Sequence, residues 1–158
     1  MLLPTLLLLL TGPTALQRDA VVRAVLVHVR DASTSFDTEA KAPPPRWFDT
    51  PYDTVLVGCG VPPGVSSSTS SPCSLPADLL RESSGRRTLL AVSTAPPRKP
   101  ATHPRAFAFY VSNITLQGVT ATVSVHFRYA TYSCSGYYSL AFSNGAWRVL
   151  KATVNVIS

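Results

Sequence analysis

Apolar and polar residues alternate along segment 119–129 with a period of two. Val, Ala, Phe and Tyr occupy the odd positions, and Thr, Ser, His and Arg occupy the even ones. Successive side chains of a β-strand point to opposite faces, so this pattern predicts a strand with one buried face. Strand-forming residues also fill segment 107–117, and Gln117-Gly118 is the predicted turn between the two strands.

A second hairpin is predicted at the end of the chain. Asn144-Gly145 separates GYYSLAF from AWRVLKATVNVIS, and both turn residues tolerate the positive φ of a type I′ turn. A two-residue loop sets the facing pairs as Phe142–Trp147, Leu140–Val149 and Tyr138–Lys151. The last strand has apolar residues on both faces, which predicts that it lies inside the sheet and completes the fold.

Segment 15–33, ALQRDAVVRAVLVHVRDAS, has a longer period. Val21, Ala24, Val25 and His28 recur at i, i+3, i+4 and i+7, while charged residues gather on another side. This spacing predicts an amphipathic helix. A strand with alternate valines on one face is the rival interpretation, but the pattern exceeds a dozen residues and contains good helix formers.

The middle of the chain is broken by Pro- and Ser-rich loops, near 40–52, 60–74 and 95–105. TVLVGCG and RRTLLAVSTA between these loops are predicted strands. Ser74 and Pro76 suit the cap and first turn of a short helix. The aromatic residues of the first loop are interpreted as anchors that hold it to the core, with the edge of a binding site as the alternative: Trp47, Phe48 and Tyr52.

These elements predict an α+β fold, with an N-terminal helix packed on a curved antiparallel sheet of four to six strands. Residues 16–158 are expected to form one domain. An all-β, immunoglobulin-like sandwich is the competing fold. Cys59 and Cys134 would be its inter-sheet pair, but Trp47 precedes both cysteines instead of lying between them.

The first residues, MLLPTLLLLLTGPTALQ, are typical of an export signal, which we place at residues 1–15. The apolar stretch is shorter than the roughly 20 residues that span a bilayer. The alternative is the start of a buried helix. The apolar segments in the rest of the sequence are also too short for a transmembrane span, so we expect a secreted or periplasmic protein.

The three cysteines are Cys59, Cys73 and Cys134. Cys59 and Cys73 are the most local pair, and a disulfide between them would close the loop GCGVPPGVSSSTSSPCS. Three reduced thiols are the alternative. A metal site is not expected, because C-x-x-C is absent and the three histidines are scattered. No cofactor is implied either.

The chain is basic, with a formal net charge of +6, and the charge is unevenly spread. Residues 84–158 carry eight Lys or Arg and no Asp or Glu. This half either presents a surface to an anionic partner or balances the acidic half internally. Nucleic acid is not an expected partner, because the sequence lacks a basic stripe with interleaved aromatic residues.

The order of elements, ending in the G-x-W-R-V of segment 145–149, resembles the nuclear transport factor-like superfamily, which includes the SnoaL-like domains. The matching stretches are AVVRAVLVHVRD and GVTATVSVHFRYATYSCSGYYSLAFSNGAWRVLKATV. The resemblance implies a cystatin-like α+β cone. Enzymes of this family use an Asp/His pair, but no acid follows Glu82 here. The resemblance therefore implies a binding or assembly module, which in this family often dimerises through the sheet.

No hydrolase, zinc-protease, P-loop or dinucleotide motif is present. The first hypothesis is thus an exported, non-catalytic binding or accessory module for a small molecule or protein, with a pocket between the helix and the concave sheet. Its candidate ligand-binding residues are His126, Arg128, Tyr129, Tyr137, Tyr138 and Trp147. Alternation separates His126 and Arg128 from Tyr129, so these six cannot all line one pocket.

Two other functions stay open from the sequence. The first is a SnoaL-like small-molecule enzyme that pairs His126 with Asp49 or Asp53. The second is a surface protein that binds an anionic partner through basic residues of the second half: Arg86, Arg87, Arg98, Lys99 and Arg105. Asn113-Ile114-Thr115 also matches the acceptor pattern for N-glycosylation.

Overall fold

The computed structural model describes residues 14–31, 37–38, 54–62, 73–80, 88–91, 106–129 and 132–157. Its elements are α1 (Ala15–Asp31), β1 (Asp37–Thr38), β2 (Thr54–Cys59), β3 (Thr88–Ala91), β4 (Ala106–Gln117), β5 (Thr120–Tyr129), β6 (Tyr132–Ser143) and β7 (Ala146–Ile157). Several predicted features lie outside the described residues. They are the signal up to Pro13, the loops near 40–52 and 95–105, the three aromatic anchors and the five basic residues between 86 and 105.

The strands form one curled sheet in the order β1-β7-β6-β5-β4-β2-β3, and α1 packs against it. The predicted α+β class is confirmed. Strands β4 to β7 form the expected antiparallel meander. The sheet is mixed, however, since β2 runs parallel to β3 and β4, and β1 runs parallel to β7. Parallel neighbours need long connections, and the segments between β2, β3 and β4 are long enough to return the chain to the same end.

A capping box starts α1. The Thr14 backbone N–H donates to the Gln17 side-chain oxygen at 3.0 Å, and the Gln17 N–H donates to the Thr14 hydroxyl at 3.3 Å. These reciprocal bonds satisfy two donors that a helix start leaves unpaired. Such a cap contributes about 1 kcal/mol to helix stability. A signal cut after Ala15 would remove Thr14 and this capping box.

The helix prediction is confirmed, but the buried face is rotated from the expected one. The residues that α1 buries are Val21, Val22, Val25, Leu26 and Val29. Ala24 and His28 lie at the margin of that face instead of its centre. The larger pair Val22 and Leu26, four residues apart, buries more apolar surface than Ala24 could, and this sets the rotation.

The inward face of the sheet supplies the rest of the core. Ala121, Val123, Val125 and Phe127 of β5 are buried, which confirms the alternating pattern over the strand. Val119 is exposed because it lies in the turn, with Gly118, instead of in β5. The turn therefore falls one residue later than Gln117-Gly118.

Among the described residues, no helix is long and apolar enough to cross a membrane.

The last hairpin forms around Asn144 and Gly145, whose φ angles are 51° and 77°. Phe142 faces Trp147 and Leu140 faces Val149, as predicted. The third predicted pair is wrong, because Tyr138 faces Ala152 and not Lys151. A register shift between Ser139 and Leu140 leaves Leu150 as an extra residue on β7, where its side chain is 68% exposed.

The predicted disulfide Cys59–Cys73 is confirmed, with the two Cα atoms 5.6 Å apart. It ties the end of β2 to segment 73–80, which buries Leu79 in the core. Residues 77–80 form a turn and not the short helix expected after Ser74. Closing a loop of 14 residues stabilises the fold by about 3 kcal/mol in the chain-entropy model.

Candidate functional site

An open cleft lies between the first half of α1 and the turns of the β4–β5 and β6–β7 hairpins. Its volume is about 750 Å³, within the usual range of small-molecule pockets. The helix lines it with Leu16, Ala20, Ala24 and Val27. These residues are spaced by three or four positions, so they form a stripe beside the buried face of the helix. The small alanine side chains leave the space that the cleft occupies.

The opposite wall of the cleft is aromatic. The rings of Phe142 and Trp147 face each other across the hairpin, with centroids 5.5 Å apart and planes at 60°. Trp147 packs partly against the core, whereas Phe142 is 44% exposed. Leu16 on the helix is 81% exposed. Apolar side chains gathered at one opening are typical of ligand-binding and interaction sites.

Arg23 stands at the polar rim of this cleft. Its guanidinium donates to the Asp78 carboxylate at 2.6 Å, and this hydrogen bond holds the pKa of Asp78 below its usual value. The two side chains are 46% and 52% exposed. An ion pair this open to water contributes little to stability. It does position the guanidinium between α1 and the turn at 77–80.

A second cavity of about 480 Å³ lies further along α1, and Ala24 and Val27 line both cavities. We call the cleft and this cavity the first and second lobes of the groove. The far end of the second lobe carries His28, Asp31 and Arg148. The Arg30 guanidinium donates to Asp31 and lowers the pKa of that carboxyl. The groove is therefore apolar where it opens near Leu16 and charged where α1 ends.

Five of the six predicted ligand-binding residues have described side chains, and only Trp147 among them lines the cleft. Tyr138 is buried in the core, where its ring makes an edge contact with His28 at 5.6 Å. Only the backbone of Tyr129 is described, at the end of β5. The other three side chains, His126, Arg128 and Tyr137, lie on the sheet face that points away from α1.

This outer face brings several polar and aromatic side chains together. His126 faces Tyr110 on β4 and Ser135 on β6, and Tyr137 lies two positions further along β6. The Tyr110 ring lies over Gly58, since a Cβ on Gly58 would come within 2.7 Å of it. The predicted site residues are thus divided between the two faces, as strand alternation requires.

The environment of His126 bears on the enzyme hypothesis. Burial lowers the pKa of its imidazole, and its cross-strand neighbours Tyr110 and Ser135 carry no carboxylate. Ion pairs between described residues include Arg23–Asp78 and Arg30–Asp31, and neither contains His126. Asp49 and Asp53 lie outside the described residues, so the proposed dyad stays a prediction.

Cys134 is a poor candidate nucleophile. It is buried, and burial raises the pKa of its thiol to about 12. The reactive thiolate is therefore scarcely populated at neutral pH. Within the described ranges, no group of three or more His, Cys, Asp or Glu side chains is placed to hold a metal ion.

The lowered pKa of His126 predicts a pH-dependent loss of stability. The unfolded chain takes up a proton below about pH 6.5, whereas the folded chain resists it. The free energy of unfolding should therefore fall as the pH drops from about 6.5 through the lower folded pKa. We expect His126→Gln to make this decline shallower in urea titrations.

Above about pH 7.5, where the imidazole is neutral in both states, the difference in stability between wild type and His126→Gln should stay constant. Identical pH profiles for the two proteins throughout the acid range would contradict the assignment.

Sequence reasoning missed the helical and turn residues of the cleft. Leu16 directly follows the predicted export signal, and nothing in the sequence around Ala20 indicates a cleft residue. Val119 was expected in a buried strand. The facing pair Phe142–Trp147 was predicted and is confirmed, and Trp147 is also the predicted ligand-binding residue that lines the cleft.

No protein-family model, curated protein or solved structure significantly matches the chain. The resemblance to the nuclear transport factor-like superfamily stays a prediction, and so does pairing of two copies through the sheet.

Proposed function

We propose that this protein is an exported, non-catalytic binding module whose cleft between α1 and the hairpin turns holds the apolar part of a small ligand. The single observation that carries the proposal is the cleft itself. Its volume suits a small molecule, and its walls are apolar on both sides.

Two features of the chain support export. Disulfides form and persist in oxidising compartments, and Cys59–Cys73 is formed. The apolar stretch that ends by Thr11, with the unbroken block Leu6–Leu10 at its centre, has the length and position of a signal-peptide core. Together they favour a secreted or periplasmic location.

The cleft is favoured over the outer sheet face because it exposes apolar side chains at a concave surface. Leaving Leu16 and Phe142 in water costs about 25 cal/mol for each Å² of apolar surface. A ligand that covers these side chains recovers this free energy. The outer face around His126 is polar and offers no comparable gain.

We expect saturable binding of a neutral, apolar fluorescent probe such as N-phenyl-1-naphthylamine. The chain has two tryptophans, so Trp47→Phe leaves Trp147 as the only tryptophan, at the wall of the cleft. Probe binding should quench Trp147. Ala20→Leu fills the cleft while keeping a good helix former, and it should weaken binding at least about tenfold.

Ala91→Leu is the matched control, because it makes the same substitution at an exposed position of β3 that does not line the cleft. Leu150→Ser removes an exposed apolar side chain elsewhere. Both should bind the probe like the parent and melt cooperatively. Equal binding by Ala20→Leu and Ala91→Leu would contradict the proposal, as would an absence of saturable binding by the folded parent.

A further inference from the structure

We propose that the ligand of the cleft is a small anionic amphiphile, with an aliphatic or aromatic body in the apolar lobe and a carboxylate head on Arg23. This inference rests on the proposed function and names the class of molecule that the same site takes. Three properties of the cleft support it: the charge of the lining, the access to Arg23 and the spacing between Arg23 and Leu16 along α1.

The charge of the first lobe is one-sided. Among the described residues that line this lobe, Arg23 is the one ionisable side chain and Gln17 is the one neutral polar side chain. The other described lining residues are apolar or glycine. No carboxylate is among the described residues that line this lobe. A cation beside apolar walls favours a ligand that carries a negative charge at one end of an apolar body.

Arg23 is accessible to such a head. Nearly half of its side chain is open to solvent, at 46%. A guanidinium presents five N–H donors in a planar fork that matches the geometry of a carboxylate. The exposed Asp78 carboxylate already binds the Nη2 atom. Arg23 thus already binds one carboxylate, that of Asp78, which does not itself line the lobe, and a ligand head would join Asp78 or compete with it.

The spacing along α1 fits a short amphiphile. Leu16 and Arg23 both line the lobe and are seven residues apart, which corresponds to about 10 Å along the helix axis. Ala20 lies between them and leaves room for the body of the ligand. An extended chain lying beside these residues would place its far end near Leu16, Phe142 and Trp147.

The test compares three probes that share a ten-carbon chain, at about pH 8: decanoate, decanol and decyltrimethylammonium. The two ionic probes are used below their micelle concentrations and decanol below its solubility limit. Displacement of bound N-phenyl-1-naphthylamine, followed as recovery of Trp147 emission in the Trp47→Phe protein, reports binding. We expect decanoate to bind about tenfold more tightly than decanol, because charged hydrogen bonds add to the same apolar contacts. The cationic probe should bind more weakly than decanol.

Two substitutions assign the head to Arg23. Arg23→Gln should abolish the preference for decanoate and leave decanol binding unchanged. Asp78→Asn removes the competing carboxylate without altering Arg23, so it should strengthen decanoate binding severalfold. Arg148→Gln is the matched control at the other lobe, and it should leave the tenfold preference intact.

The outcomes separate this inference from the proposed function. Equal affinities for decanoate and decanol, or a preference that survives Arg23→Gln, would overturn the inference that Arg23 binds an anionic head. The proposal that the cleft binds an apolar ligand would stand. A preference lost in Arg148→Gln and kept in Arg23→Gln would place the head in the second lobe and overturn the assignment. Failure of every probe to bind would reject both proposals.

Discussion

Removal of residues 146–158 is expected to abolish cooperative unfolding. These residues comprise β7, which pairs along β6 and contacts α1. Without it, Tyr138 and Leu140 of β6, which are fully buried, would lose their cross-strand neighbours Ala152 and Val149 and become exposed to water. Burial of each such side chain contributes about 1.5–3 kcal/mol. This is a large part of the net stability of a domain, about 5–15 kcal/mol.

The truncated chain should show a broad, shallow thermal transition by circular dichroism and poor amide dispersion by NMR. A chain that lacks only Ser158 is the control, since β7 ends at Ile157. It should melt like the full chain. A truncated protein with an unchanged cooperative melt would contradict the role of β7 in completing the sheet.

Phe109→Ala should lower the free energy of unfolding by about 3–5 kcal/mol, a large loss for a single substitution. Phe109 is fully buried on β4. Its ring makes edge contacts with Phe127 at 5.1 Å and with Tyr138 at 6.0 Å. Replacement by alanine removes these contacts and leaves a cavity that the surrounding strands cannot close.

Phe142→Ala is the matched control, because it deletes the same ring from a side chain that is 44% exposed. Its expected cost is about 1 kcal/mol, the worth of the ring contact with Trp147. Urea titrations of the two variants measure the difference. Equal losses would show that Phe109 is less well packed than its burial indicates.

Regular local patterns in the sequence predicted most of the described elements. The period-two alternation predicted β5, the Asn-Gly turn predicted the β6–β7 hairpin, and the valine-rich helical period predicted α1. The Cys59–Cys73 pair was the most local pairing of the cysteines. These features depend on side-chain period, turn chemistry and loop closure, all of which act over short stretches of chain.

The register of the last hairpin shows where local patterns stop. An uninterrupted ladder paired Tyr138 with Lys151, but a bulge shifts the partner to Ala152. The shift turns Ala152 inward beside Tyr138 and leaves Leu150 exposed. Whether a bulge forms depends on how the two strands curve around the core, and the sequence of one hairpin does not contain that information.

The candidate site follows the same division. The sequence by itself determined the helix, the antiparallel meander and the facing pair Phe142–Trp147, and it left the disulfide open against three reduced thiols. Only the tertiary structure decided that β2 runs parallel to its neighbours and that α1 rotates to bury Val22 and Leu26. That rotation places Ala20 and Ala24 opposite the hairpin turns and opens the cleft. The physical reason is that periodicity specifies which residues share a face, whereas the contact between two faces depends on the shape and volume of both.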